Sequence, residues 1–142
     1  MSLYYDQMYL DMAQVAARYS RAEKLKVGCV IVKNRQIISV GINGTPCGWH
    51  TNVCEDTLPD GSLITKREVL HAEQAALLKL SKSTLSSDGA SMYITHSPCA
   101  MCANMIKEAG IVSVHYHDDY RSDVGSDFLR RCGVDVTKVM KR

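Results

Sequence analysis

Apolar and polar positions alternate along the chain with two periods. Residues 4–19 (YYDQMYLDMAQVAARY) carry apolar side chains at helical spacing and predict an amphipathic helix. Residues 27–33 (VGCVIVK) form a short apolar run of the kind that makes a buried strand. Asn34-Arg35 is a polar turn, and residues 36–41 (QIISVG) return as a second strand. Residues 42–64 have no period. Gly44, Pro46, Gly48, Pro59 and Gly61 are scattered through them, and a loop is expected. Residues 70–80 (LHAEQAALLKL) predict a buried helix with His71 and Glu73 in its first turn, and residues 92–95 (MYIT) a strand. Ser97 is the expected N-cap and Pro98 the expected first residue of a helix running to Ala109. Residues 111–116 (IVSVHY) predict a strand, 126–132 a helix and 134–139 a last strand. No segment repeats. The order is α-β-β-α-β-α-β-α-β, an α/β chain with a mixed sheet of about five strands covered by helices.

Two short motifs in this frame carry chemistry. His71-Ala72-Glu73 opens one predicted helix, and Pro98-Cys99-Ala100-Met101-Cys102 opens another. One imidazole and two thiols are the ligand set of a catalytic zinc that keeps its fourth position for water. Glu73, next but one to His71, is the carboxylate left free to move protons. Cys99 and Cys102 are three apart and share a helix face, and a helix N-terminus favours the anionic thiolate. Plainer readings exist. A lone C-x-x-C is often a redox pair, but that usually follows the first strand of its unit. A structural zinc needs a fourth protein ligand.

Composition narrows the class. The 142 residues suit one domain, 1–142, able to bury a core. The net charge of +2 is too small to argue for a nucleic-acid partner. No apolar run approaches a membrane span, and MSLYYDQMYLDMA lacks the pattern of an export signal. The six Cys are therefore expected to be reduced thiols and metal ligands of a cytoplasmic protein rather than disulfides.

The pattern H-x-E…P-C-x-x-C resembles the zinc-dependent nucleobase deaminases. The segment Gly41-Ile42-Asn43-Gly44-Thr45-Pro46, the Thr95-His96-Ser97-Pro98-Cys99 approach to the thiols and the tyrosines after the fourth strand resemble the deoxycytidylate (dCMP) deaminase subfamily. The resemblance implies a three-layer α/β/α cytidine-deaminase-like fold. It implies a Zn²⁺ held by His71, Cys99 and Cys102, and Glu73 as the catalytic proton carrier in hydrolysis of dCMP to dUMP and ammonia. It implies that Asn43 meets the sugar or phosphate side of the substrate, and that Lys26 and Tyr120 serve the 5′-phosphate. The Ala72 amide would meet the pyrimidine carbonyl, and Ser97 the departing amine. A homohexamer supplying dUMP for thymidylate synthesis is implied as well. It would be activated by dCTP with Mg²⁺, inhibited by dTTP, and sense the effector through Gly44, Thr45 and Gly48.

Several residues keep two readings. Asn43-Gly44 is also a common tight-turn pair. Lys26 and Arg21 are also ordinary solvated charges. Tyr116 alternates with Val112 and Val114 as a core residue would, which leaves Tyr120 the better pocket residue. Met8, Met12, Met101 and Met105 suit assembly or plain core. Cys29 reads as a buried small hydrophobe. Cys47, His50 and Cys54 could hold a second zinc, although their spacing matches no compact motif. His96 lines the pocket or sits on the surface. A same-fold deaminase of free cytidine, guanine or tRNA adenosine is the alternative enzyme. A non-catalytic zinc- or nucleotide-binding protein is the alternative outside catalysis, and it would have no use for Glu73.

Overall fold

The computed structural model describes residues 3–141. Helix α1 (Leu3–Ala17) leads into the hairpin of β1 (Gly28–Lys33) and β2 (Gln36–Ile42). The predicted turn at Asn34-Arg35 is present, with both φ positive at 52° and 64°. That geometry matches the right-handed twist of a two-residue hairpin. The expected loop over 42–64 is corrected: it contains β3 (Glu55–Thr57) and leads into β4 (Leu63–Thr65), a separate two-stranded hairpin. The strands are three residues each and Glu-Asp-Thr has little β-propensity, so periodicity could not find them. The turn had a signal in Pro59-Asp60-Gly61, and the Leu58 N–H closes it on the Ser62 carbonyl at 2.8 Å.

Then follow α2 (Ala72–Leu80), β5 (Ser91–His96), α3 (Ala100–Glu108), β6 (Ser113–Asp118), α4 (Val124–Arg131) and β7 (Asp135–Lys138). Both motif helices start later than expected. His71 is the N-cap of α2 and not in its first turn, and Cys99, not Ser97, is the N-cap of α3. Ser97 is occupied elsewhere: its N–H goes to the Asp118 carbonyl and its hydroxyl accepts the Tyr120 N–H. It therefore extends the β5–β6 pairing, and Pro98 precedes the helix instead of opening it. The fourth major strand also begins two residues late. Helix α3 ends in a Schellman closure, with Gly110 at φ 85° and the Ile111 N–H returned to Ile106 at 3.3 Å. Ile111 is thereby spent on closing the helix.

The main sheet has the order β2-β1-β5-β6-β7. β1 is antiparallel to both neighbours, while β5, β6 and β7 run parallel. On one face Cys29, Ile31, Met92, Ile94 and Val114 pack with Ala76 of α2, Ala103 and Ile106 of α3, and Leu129 of α4. On the other, Val30, Val32 and Tyr93 pack with Tyr9, Leu10 and Ala13 of α1. β1 is buried on both sides, which accounts for its unbroken apolar run. Cys29 is in the core, as expected. Met8, Met12 and Met101 are exposed, against the plain-core reading; Met105 packs against the core. No described helix is long and apolar enough to cross a membrane.

Candidate active site

The C-terminal ends of the parallel strands β5 and β6 carry the site. There β5 hands over to Ser97-Pro98-Cys99, and β6 to Asp119-Tyr120, the usual place for ligands in an open α/β sheet. The start of α2 points into the same space. Two close approaches make this possible. A Cβ on Gly41 would lie 2.2 Å from the Ala72 carbonyl, so only glycine lets β2 seat the first turn of α2. A Cβ on Gly125 would lie 2.2 Å from the Pro98 carbonyl, so α4 can press against the turn that holds Cys99.

The two helix starts bring His71, Cys99 and Cys102 together, with their ligand atoms all within 4.8 Å of one another. Among the described residues this is the one His/Cys/Asp/Glu set gathered closely enough for an ion. His71 Nδ1 lies 3.7 Å from Cys99 Sγ and 3.3 Å from Cys102 Sγ. Zinc–sulfur and zinc–nitrogen bonds at a tetrahedral angle separate such atoms by roughly 3.5 Å, so the donor set fits zinc in both chemistry and spacing. The Cys99 thiol is drawn down to about 4 by hydrogen bonds from Cys102 and then from His71. Cys102 is pushed far up by its bond to Cys99 and by burial, and His71 is raised by its bond to Cys99. Three groups thus crowd around too few protons, a surplus of electron pairs that a cation relieves. The Gln74 side chain accepts the His71 N–H at 2.7 Å and steadies the N-cap. Gln74 escaped the sequence reading, although Gln at the third helical position is half of a capping box.

Glu73 is buried beside this set, and burial pushes its carboxyl up to about 7. A carboxyl at that value takes or gives a proton near neutral pH. A cavity of about 490 Å³ opens above it, with His71, Ala72, Glu73 and Cys99 among its lining. Asn43, His96, Ser97 and Tyr120 line it too, so four residues with two readings or implied roles do reach the pocket. They are partly engaged already. Asn43 Oδ1 accepts the Val27 N–H at 2.8 Å, and its Nδ2 donates to the Leu25 carbonyl at 2.7 Å. Ser97 Oγ holds the Tyr120 N–H at 2.7 Å. His96 shares a 2.8 Å hydrogen bond with Thr95, and burial lowers its pKa.

Lys26 is the expected phosphate residue that lies off the cavity lining, and its ammonium donates to the Ser20 carbonyl. The lysine and arginine that line the cavity are Lys24 and Arg121, the latter with its guanidinium 5.6 Å from the Tyr120 ring centre. Tyr116 is buried, with its hydroxyl on Asp119 at 3.2 Å. Gly44, Thr45 and Gly48 lie off the cavity lining. Gly44 pairs with Leu70 through both backbone hydrogen bonds, and Thr45 donates to the Thr51 carbonyl at 2.8 Å. Cys47, His50 and Cys54 do not converge: Cys47 is exposed, while the buried Cys54 directs its thiol to the Asn52 carbonyl.

Known proteins resemble this arrangement. The model of the cytidine and deoxycytidylate deaminase zinc-binding region matches residues 4–118. The structure of dCMP deaminase from the cyanophage S-TIM5 in complex with dCMP and dUMP is 45% identical, with a TM-score of 0.91 over 98% of this chain and 99% of that one. ComE operon protein 2 of Bacillus subtilis is 32% identical over 139 residues, 95% of this chain and 71% of that protein. The deoxycytidylate deaminase of Enterobacteria phage T4 is 30% identical over 172 residues, 94% of this chain and 89% of its own length.

Proposed function

The chain belongs to the cytidine and deoxycytidylate deaminase family, and on that premise we propose that it hydrolyses dCMP to dUMP and ammonia. The observation that carries this reading is Glu73: a buried carboxyl held at about 7, next to a ligand triad and facing a cavity of nucleotide size. A binding protein would gain nothing from so costly a group.

His71, Cys99 and Cys102 would hold the zinc. When bound, the metal supplies a water acidic enough to be a nucleophile near neutral pH. Glu73 would take one proton from the attacking water and deliver it to the pyrimidine ring nitrogen. It would then pass the second to the amine, which leaves as ammonia while the ring carbon keeps the water's oxygen. The Ala72 N–H, at the first position of α2, would meet the pyrimidine carbonyl, and Ser97 the departing amine. Asn43 and Tyr120 would face the sugar and phosphate side. For the phosphate charge, Lys24 and Arg121 take the place first assigned to Lys26, because they line the cavity and Lys26 does not. These two cations support a substrate carrying a 5′-phosphate over a free nucleoside.

The wider reading follows the family. A single catalytic domain, a cytoplasmic location, a role in supplying dUMP and a homohexamer answering to dCTP with Mg²⁺ and to dTTP through Gly44, Thr45 and Gly48 are part of the proposal. Exposed Met8, Met12 and Val15 on α1, beside exposed Ile37 and Val40 on edge strand β2, offer apolar surface for assembly. Steady-state absorbance assays with dCMP, CMP, deoxycytidine and dCTP test the substrate, each with and without dCTP–Mg²⁺ as effector. Turnover of dCMP with deoxycytidine disfavoured is expected. Turnover of deoxycytidine alone would withdraw the phosphate assignments, and a dCMP curve unchanged by dCTP would withdraw the effector.

A further inference from the structure

One wall of the cavity has no secondary structure of its own. Residues 20–27 run from the turn after α1 to β1 as an irregular strap that bends at Glu23-Lys24, and Lys24, Leu25 and Val27 of this strap line the cavity. Side chains hold it in place. Asn43 takes the Val27 N–H and the Leu25 carbonyl, and the Ser20 hydroxyl donates to the Asn43 carbonyl at 2.8 Å. Between these anchors the Lys26 ammonium ties the strap to its own Ser20 carbonyl, and the carboxylate of Glu55 on β3 holds it from outside. Its Oε2 accepts the Glu23 N–H at 3.0 Å and the Lys24 N–H at 3.1 Å. Glu55 is 7% exposed. A carboxylate removed from water to this degree needs hydrogen bonds to justify its burial, and here both come from the strap.

We propose that Glu55 is a positioning residue for the anionic end of the substrate, acting through Lys24. Its two hydrogen bonds fix the backbone of Lys24 against the cavity, so the flexible lysine stem starts from a set point and the ammonium need search less space to meet a phosphate dianion. Glu55 also lines the cavity, but its Oε2 faces the strap, where the Glu23 and Lys24 N–H groups occupy it. The short strands β3 and β4 acquire a purpose in this arrangement: they hold Glu55 beneath the strap. The proposal rests on dCMP being the substrate and adds to it the reason one lysine of the strap, not its neighbour Lys26, faces the ligand.

The test is a double-substitution cycle on the zinc-loaded enzyme with dCMP, reading KM and kcat for wild type, Glu55→Ala, Glu55→Gln, Lys24→Ala and Glu55→Ala with Lys24→Ala. Glu55→Ala is expected to raise KM about tenfold or more with kcat changed less than about threefold, the mark of lost binding rather than lost chemistry. Glu55→Gln keeps an oxygen for the same N–H groups and should recover most of that loss. Lys24 is exposed, so Lys24→Ala folds in any case, and if Glu55→Ala folds poorly Glu55→Gln, alone and with Lys24→Ala, closes the cycle with a smaller KM rise that Lys24→Ala must abolish. The double variant should resemble Lys24→Ala alone, because Glu55 has nothing to position once the ammonium is gone. Losses that multiply, or a fall in kcat at unchanged KM, overturn the proposal, as does an unaltered Glu55→Ala. Failure of the wild type to turn over dCMP overturns the substrate reading itself, a result separate from any of these.

Discussion

Glu73 is where residue-scale physics is sharpest. Burial is the largest influence on it, and it holds the carboxyl at about 7, well above the ordinary glutamate range. At neutral pH the group is therefore poised between acid and base. Replacing it with Ala removes the proposed proton carrier and leaves His71, Cys99 and Cys102 in place. Turnover should fall by about 10²–10⁴-fold with metal content unchanged. Retained turnover in Glu73→Ala would sink the mechanism. Cys102→Ala removes a proposed ligand that is fully buried, so metal analysis of the purified variant should find zinc largely lost; full occupancy there would overturn the ligand assignment. The gathering of His71, Cys99 and Cys102 beside Glu73 was legible in sequence because ligand chemistry needs particular residue types at short spacings. Lys24 was not. It lies two residues from Lys26, and the two differ in what holds them: the nearby Ser20 carbonyl takes the Lys26 ammonium, while Glu55, distant in sequence, takes the Lys24 N–H.

Helices α2 and α3 act at the scale of elements by presenting their starts, not their lengths. His71 and Cys99 are both N-caps in extended backbone, and each sits where a strand or another helix comes within touching distance. Gly125 is the tightest gauge of this. An added Cβ would meet Pro98 and Cys99 backbone atoms at 2.2–2.8 Å, which flexible side chains cannot relieve. Gly125→Ala is expected to cost about 1–3 kcal/mol by chemical denaturation and to weaken zinc retention in a chelator competition. Gly44→Ala is the control, since a Cβ there meets nothing within 4 Å. Equal effects of the two substitutions would show that the α4–Cys99 approach is not what seats the ligand. The order of the major elements could be read from periodicity, because each buries a face. Their starting residues could not: Ser97 looks like a cap in isolation, and its hydroxyl goes to Tyr120, twenty-three positions on. β3 and β4 are too short to show a period at all.

Over the whole molecule, the sheet separates two kinds of buried polar group. Glu73 lies on the face covered by α2 and α3. On the α1 face, the Tyr93 hydroxyl donates to Asp6 at 2.7 Å, and His115 stacks on Tyr93 with ring centres 4.7 Å apart. His115 Nε2 is 3.7 Å from Asp6, and its Nδ1 is buried without a partner. Burial lowers the His115 pKa despite the neighbouring Asp6 and Asp135, and burial does the same to His96. In the unfolded chain each histidine takes a proton near pH ~6.5. Below that value the unfolded state binds more protons than the folded one, so stability falls as pH falls. Glu73 works with the opposite sign: raised in the fold, it costs stability as pH climbs from the ordinary glutamate range toward 7. His115→Phe separates the two, because it preserves the stack on Tyr93 and abolishes one titration. Melting temperatures of the zinc-loaded protein should drop between pH 7.5 and 5.5, and the drop should shrink in His115→Phe by about 2–4 °C. An identical pH profile in the two proteins would mean that His115 keeps its proton balance on unfolding, and the acid sensitivity would then belong to the metal site on the other face.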